Sequence, residues 1–261
     1  MGRVICFANN KGGVGKTTSC VSLGLIWAEG GKKVLFIDLD SQANLTYIVG
    51  DKELLNTREY TVREAMLDHK ISPIEKISDN VDLMPAGLTL ATFDRDSATY
   101  NGREYLLLDL VKIYKDKYDY ILIDCPPALG LISYNALIAS DYLIEVTSPD
   151  GLSYTGLSLL GKQYLEVCSS SRLNPELQLL GVIITLNENT RVNKEYIHRL
   201  KLGLEDLVLK PVISKATRVS QANSLGTSIV DFEPDGKITT QYRELAGSID
   251  SRIIELNNST K

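Results

Sequence analysis

The ten residues Asn9 to Thr18, N-N-K-G-G-V-G-K-T-T, constrain this chain more than any other stretch of it. Before them, residues 3–8 (R-V-I-C-F-A) read as a short buried strand. After them, a helical pattern runs from Thr17 to about Ala28 and is stopped by Gly30-Gly31. Gly12, Gly13 and Gly15 let the backbone turn tightly and aim its N–H groups at one anion. The helix that opens at Thr17 adds the positive end of its dipole. Lys16 supplies a point charge for β- and γ-phosphates, and Thr17 a hydroxyl for Mg²⁺. Against the common pattern G-x-x-x-x-G-K-[ST], the first position is Asn10 rather than glycine. A glycine-rich turn alone needs no ligand. A strand before it, a helix after it and Lys-Thr at this offset make it a phosphate-binding loop. Its expected contacts are Lys11, Gly12, Gly13, Val14, Gly15, Lys16, Thr17 and Thr18, and its expected ligands are ATP or ADP with Mg²⁺.

Phosphoryl transfer also needs a carboxylate near the metal and a group that orients the attacking water. Acids at the C-terminal ends of strands beside the loop suit both tasks, because ligands bind at that edge of an open α/β sheet. Two segments fit. Residues 33–37 read as an apolar strand ending at Asp38, followed by Leu39-Asp40-Ser41-Gln42-Ala43-Asn44. Residues 120–123 read as another, closing on Asp124-Cys125-Pro126-Pro127. Taken alone, each aspartate also fits a helix N-cap or a turn.

The rest of the chain alternates strand and helix patterns, which predicts an α/β fold: a mostly parallel sheet flanked by helices. Further strands are expected over 81–84, 141–146, 179–185 and 208–213. Helices are expected over 102–114, 131–139, 152–167, 193–204 and 239–256. Without an internal repeat or low-complexity linker, residues 1–261 read as one domain. No apolar run approaches the ~18 residues of a membrane span, and the N-terminus lacks a signal-peptide layout. Cys6, Cys20, Cys125 and Cys168 are widely spaced, so neither a disulfide framework nor a zinc site is expected and a reducing cytoplasm is.

The loop K-G-G-V-G-K-T-T resembles the deviant Walker A motif of the ParA/MinD family of P-loop ATPases. In that family the first lysine, matched by Lys11, reaches across a dimer to the partner's nucleotide. Residues 38–44 resemble the family's D-x-D-P-Q-x-N switch with Ser41 in place of proline. The resemblance makes Asp40 the water-orienting acid and Asp38 a second switch acid. I-L-I-D-C-P-P, residues 121–127, resembles the Walker B strand and makes Asp124 the Mg²⁺-linked acid. Lys11, Lys16, Asp40 and Asp124 are thus the candidate catalytic residues, and Thr17, Asp38, Asp40 and Asp124 the candidate groups around the metal. The resemblance covers about residues 1–250 and is closest to the small Soj-type partition ATPases. It implies an ATP-state homodimer, DNA binding without sequence preference, hydrolysis stimulated by a ParB-like partner, and a cytoplasmic, nucleoid-associated protein.

Charge bears on the DNA expectation. The net charge is −5, yet residues 189–218 carry seven Lys/Arg against three acids, leaving −9 for the remainder. Overlapping that segment, T-L-N-E-N-T-R-V-N (185–193) resembles a family stretch that places Arg191, and V-I-S-K-A-T-R-V-S-Q-A-N-S-L-G (212–226) one that places Lys215 and Arg218, on family positions. Ser214 and Asn223 replace two prolines there. Arg191, Lys194, Arg199, Lys215 and Arg218 are the candidate DNA contacts; a solvated helix face with Glu/Lys pairing is the alternative. Three other functions compete. A MinD-like membrane-positioning ATPase would use the apolar stripe of the C-terminal helix. A redox carrier would need bridging cysteines, and a binding module would hold ATP without turnover.

Overall fold

The computed structural model describes residues 2–54, 58–151 and 153–259, with the backbone alone at 153–155 and 259. The strands are β1 (Arg3–Ala8), β2 (Val34–Asp38), β3 (Glu75–Lys76), β4 (Val81–Met84), β5 (Tyr120–Asp124), β6 (Tyr142–Thr147) and β7 (Gln178–Ile184). The helices are α1 (Lys16–Glu29), α2 (Asn44–Val49), α3 (Val62–Leu67), α4 (Phe93–Asp96), α5 (Leu106–Tyr114), α6 (Leu131–Ala139), α7 (Ser153–Ser169), α8 (Arg191–Leu204), α9 (Thr217–Ser224), α10 (Ile229–Phe232) and α11 (Lys237–Ser259). The sheet order is β3-β4-β2-β5-β1-β6-β7. Every pairing is parallel except the short edge hairpin of β3 with β4. The expected mostly parallel α/β sheet is present.

The strands are apolar on both faces because helices cover both faces. Ile5, Phe7, Phe36 and Leu122 belong to a core shared with residues of α1, α10 and α11. Their neighbours Val4, Cys6, Leu35 and Ile121 face the other way, into a core with α3, α5, α6 and α7. Helix α1 lies very close to the sheet: a Cβ at Gly24 would fall 2.2 Å from Phe36 Cζ and 2.7 Å from Leu122 Cδ1. Near the helix's far end, Trp27 stacks on Tyr120 at 4.3 Å. Asp250 of α11 accepts hydrogen bonds from both, at 3.2 Å from the indole and 2.6 Å from the hydroxyl.

Helix α11 buries its apolar stripe, Ile238, Tyr242, Leu245, Ile249 and Ile253, in this core. Most of the stripe that a membrane-surface helix would present is therefore used inside the fold, with Ile254 left exposed and Leu256 partly buried. Among the described residues no helix is long and apolar enough to cross a membrane.

One expected strand is corrected. Residues 208–213 run beside β7 but make only isolated parallel bridges, Val182 with Val208 and Asn187 with Ser214. Pro211 has no N–H to give a ladder. Single bonds from Leu209 N to Val182 O (3.0 Å) and from Ile213 N to Ile184 O (2.8 Å) hold the segment in place. The expected helix over 102–114 begins as a 3₁₀ turn, Arg103–Tyr105, before α5. Helix α7 matches the expected 152–167 helix, although Leu152 lies outside the described residues.

Candidate active site

Strand order builds this site. β5 lies between β1 and β2, in register Phe7–Asp124 on one side and Asp38–Asp124 on the other. Two acids from distant sequence therefore end side by side, next to the loop that leaves β1. In that loop Gly13 (φ 72°) and Gly15 (φ 85°) are left-handed, the backbone state that glycine alone adopts without strain.

Lys16 is buried at the start of α1, and its ammonium donates to the Lys11 carbonyl at 3.2 Å. Burial lowers its pKa, opposed by the charge of Asp124. Thr17 Oγ1 donates to Asp124 Oδ2 at 2.6 Å. The other oxygen, Asp124 Oδ1, is buried with no hydrogen-bond partner. Burial, and then the charge of Asp38, push the Asp124 carboxyl well above the usual range, against the opposing effects of Thr17 and Lys16. A buried carboxylate oxygen without a partner is costly unless it is protonated or meets a cation.

That test favours Mg²⁺. The ion is held by one or two carboxylates and a hydroxyl, and phosphate oxygens and water fill its remaining positions. Thr17 and Asp124 are a hydroxyl and a carboxylate of that kind, side by side. No group of three or more His, Cys, Asp or Glu side chains at metal-holding spacing occurs among the described residues.

Asp38 has both oxygens committed. Oδ2 accepts from Thr46 N at 2.9 Å and Thr46 Oγ1 at 2.7 Å, and Oδ1 accepts from Asp40 N at 3.0 Å. Burial raises its pKa to about 6 in spite of these bonds. Asp38 thus caps the start of α2 from across the sheet edge and braces the loop that carries Asp40. The Asp40 carboxylate accepts from Gln42 N at 3.0 Å and lines a cavity of about 470 Å³ with Gly12, Gly13, Gly15, Lys16, Thr17 and Thr18.

Other walls of this cavity, not expected from the sequence, are Asn44 and Tyr47 from α2, Val219 and Ser220 from α9, and Leu186 after β7. Asn223 lines it too. A narrower cavity of about 130 Å³ adjoins Gly15 and Thr18 and is closed by Leu186, Ser214, Val219 and Tyr242. Serine at 214, unlike proline, has an N–H, which Gln241 Oε1 accepts at 3.0 Å.

Lys11 turns toward β6. Its Nζ lies 2.5 Å from Asp150 Oδ2 and 3.4 Å from Ser148 Oγ. Its N–H donates to Asn9 Oδ1 at 2.9 Å, while Asn9 Nδ2 donates to Val146 O at 2.8 Å.

A family model described as an AAA domain matches residues 2–179. The chain is 35% identical over 253 residues to the sporulation initiation inhibitor protein Soj of Bacillus subtilis, covering 95% of this chain and 98% of that one. The chain belongs to the ParA/MinD-type P-loop ATPases, close to the Soj-type partition ATPases. Solved structures of similar fold include a cobyrinic acid a,c-diamide synthase of Mycobacterium smegmatis with bound ATP analog and magnesium. It has a TM-score of 0.82 and 29% identity, over 95% of this chain and 93% of that one. A plasmid partition protein of Borrelia burgdorferi has a TM-score of 0.77 and 27% identity, over 94% and 96%.

In this ParA-type chain the candidate DNA contacts divide between two helices. Arg191, Lys194 and Arg199 lie on α8, Arg218 lies on α9 and Lys215 just precedes it. Three are ion-paired within the chain: Arg199 with Glu195, Lys215 with Glu188, and Arg218 with Glu233 at 3.5 Å. Arg218 also sits over the Phe232 ring at 5.6 Å. Cys6, Cys20 and Cys125 are buried, and Cys168 is half-buried with its thiol against the Leu177 carbonyl.

Proposed function

We propose that this chain is a Mg²⁺-dependent ATPase of the DNA-partition type, with residues 1–261 acting as one unit in the cytoplasm on the nucleoid. It dimerises with ATP, binds DNA without sequence preference in that state, and hydrolyses ATP when a ParB-like partner engages it. One observation carries the chemistry: Asp124 has one buried oxygen without a hydrogen-bond partner and the other on Thr17, which lines the same cavity as Lys16 and Asp40. The loop from Lys11 to Thr18 holds the phosphates through backbone N–H groups and Lys16, and Asp40 orients the attacking water. Mg²⁺, when bound to Thr17 and Asp124, neutralises charge on the phosphate oxygens.

Lys11 acts in the partner subunit's site, which requires it to leave Asp150. Arg191, Lys194, Arg199, Lys215 and Arg218 meet DNA phosphates. The relation to Soj and to a plasmid partition protein favours partition over membrane positioning. The buried apolar stripe of α11 favours it further.

The deciding experiment is retardation of nonspecific duplex DNA in a gel with ATP, with ADP and without nucleotide. Retardation is expected with ATP alone. With about six phosphates neutralised per dimer, affinity falls with salt on a log–log slope of about −5. Equal retardation in all three states, or none in any, rejects the reading.

A further inference from the structure

We propose that Thr185, just beyond β7, is a positioning residue that aims the phosphate-binding loop; this deepens the nucleotide reading above and rests on it. Thr185 is distant from Val14 in sequence and buried, yet its Oγ1 lies 2.6 Å from the Val14 carbonyl oxygen. The same hydroxyl is 3.1 Å from the Thr147 carbonyl, which already accepts the Thr185 N–H at 2.8 Å. A hydroxyl has one proton, and the shorter contact claims it.

The consequence follows from peptide geometry. In a trans peptide the C=O and the following N–H point in opposite directions. Drawing the Val14 carbonyl toward β7 therefore turns the Gly15 N–H the other way. Gly15 lines the large cavity, where an anion held by Lys16 would lie. Gly15 is left-handed at φ 85°, and a Cβ there would lie 3.5 Å from Thr185 Oγ1, so loop and side chain are packed together. The next residue strengthens the case. Leu186 holds a left-handed φ of 54° and lines both cavities. A bulky residue in that region is strained, and such strain persists only where its surroundings impose it. The Thr185–Leu186 step thus braces the phosphate side with a hydroxyl and walls the adjoining cavity with a side chain.

Substitution by valine keeps the shape of Thr185 and removes only the proton donor. The test is titration calorimetry of MgADP into the wild type, Thr185→Val and Thr185→Ser, which reports stoichiometry and Kd separately. Thr185→Val is expected to bind about tenfold more weakly, equivalent to ~1.4 kcal/mol, with Thr185→Ser within about twofold of wild type. A purely structural threonine would lower the binding stoichiometry and the melting temperature of the nucleotide-free protein and leave Kd unmoved; that result overturns the proposal. If valine prevents folding, Thr185→Ala compared with Thr185→Ser carries the same comparison, and equal Kd values overturn it. Wild-type protein that gives no heat with MgADP rejects the nucleotide reading itself. Normal binding by wild type and valine variant alike rejects only the role of Thr185.

Discussion

At the scale of single residues, two charged groups are held in arrangements that a bound nucleotide would change. The first is Lys11, paired with Asp150 at 2.5 Å in a half-exposed site. A pair of this exposure is worth no more than ~1 kcal/mol, enough to hold the ammonium at home and little enough to release it. Asp150→Asn is therefore expected to tighten ATP-driven dimers by up to about fivefold for each of the two Lys11 side chains released, read by sedimentation with ATP against ADP. Weaker dimers would instead make Asp150 a contact across the interface. The second is Asp124. Asp124→Asn replaces a carboxyl whose charged form is penalised by burial and by Asp38 with a neutral amide, so the nucleotide-free protein is expected to be as stable as wild type or more so. ATPase activity with Mg²⁺ is expected to fall about 10- to 100-fold, and full activity would remove Asp124 from the metal site. Lys16, Thr17 and Asp124 could be read from the chain because their chemistry is written locally, in a glycine loop and an apolar run that stops at an acid. Asp150 and Thr185 could not. Their partners lie more than a hundred residues away, and only the order of β1, β6 and β7 brings them to the loop.

At the scale of elements, packing decides what propensity leaves open. Alanine at Gly24 would gain about 1 kcal/mol of helix propensity. The new Cβ, however, would enter the Phe36 ring at 2.2 Å, and that ring is fully buried. Overpacking of this kind costs about 1–3 kcal/mol, and α1 cannot retreat without moving the phosphate loop at its own N-terminus. Gly24→Ala is expected to be destabilising by up to about 2 kcal/mol in urea denaturation, and a stabilising result would mean that α1 shifts freely. The main strands were legible because each is a continuous apolar run ending in turn residues. The run over 208–213 looked alike, and Pro211 prevents its ladder. Short α2 and α9 escaped notice for a different reason. Helix α9 (T-R-V-S-Q-A-N-S) is polar over most of its length, and α2 is only six residues long and depends on a cap from Asp38, eight residues before Thr46 and on another element.

At the scale of the whole molecule, the sheet buries three carboxyls whose acidity is displaced in one direction. Asp38 rises to about 6, Asp124 rises well above its usual range, and Glu145 on β6 rises to about 8 through burial alone. Glu145 Oε1 has no hydrogen-bond partner, and Glu145 shares its strand face with Leu143, which lies in the core with α6 and α7. A carboxyl whose pKa is higher in the folded state than in the unfolded chain retains its proton on folding. Its favourable contribution is complete below about pH 4.5, where both states are protonated, and declines as pH rises to about 8. The fold should therefore weaken across neutral pH. Glu145→Gln isolates one part of that decline, because glutamine keeps the neutral form at every pH. The variant is expected to match wild type near about pH 4.5 and to exceed it by ~2–4 kcal/mol near about pH 8, measured as denaturation midpoints across that range. The two curves should diverge through the neutral region and run parallel above about pH 8. Curves parallel throughout would mean that Glu145 ionises in the folded protein, and that α7 opens enough to let water reach it.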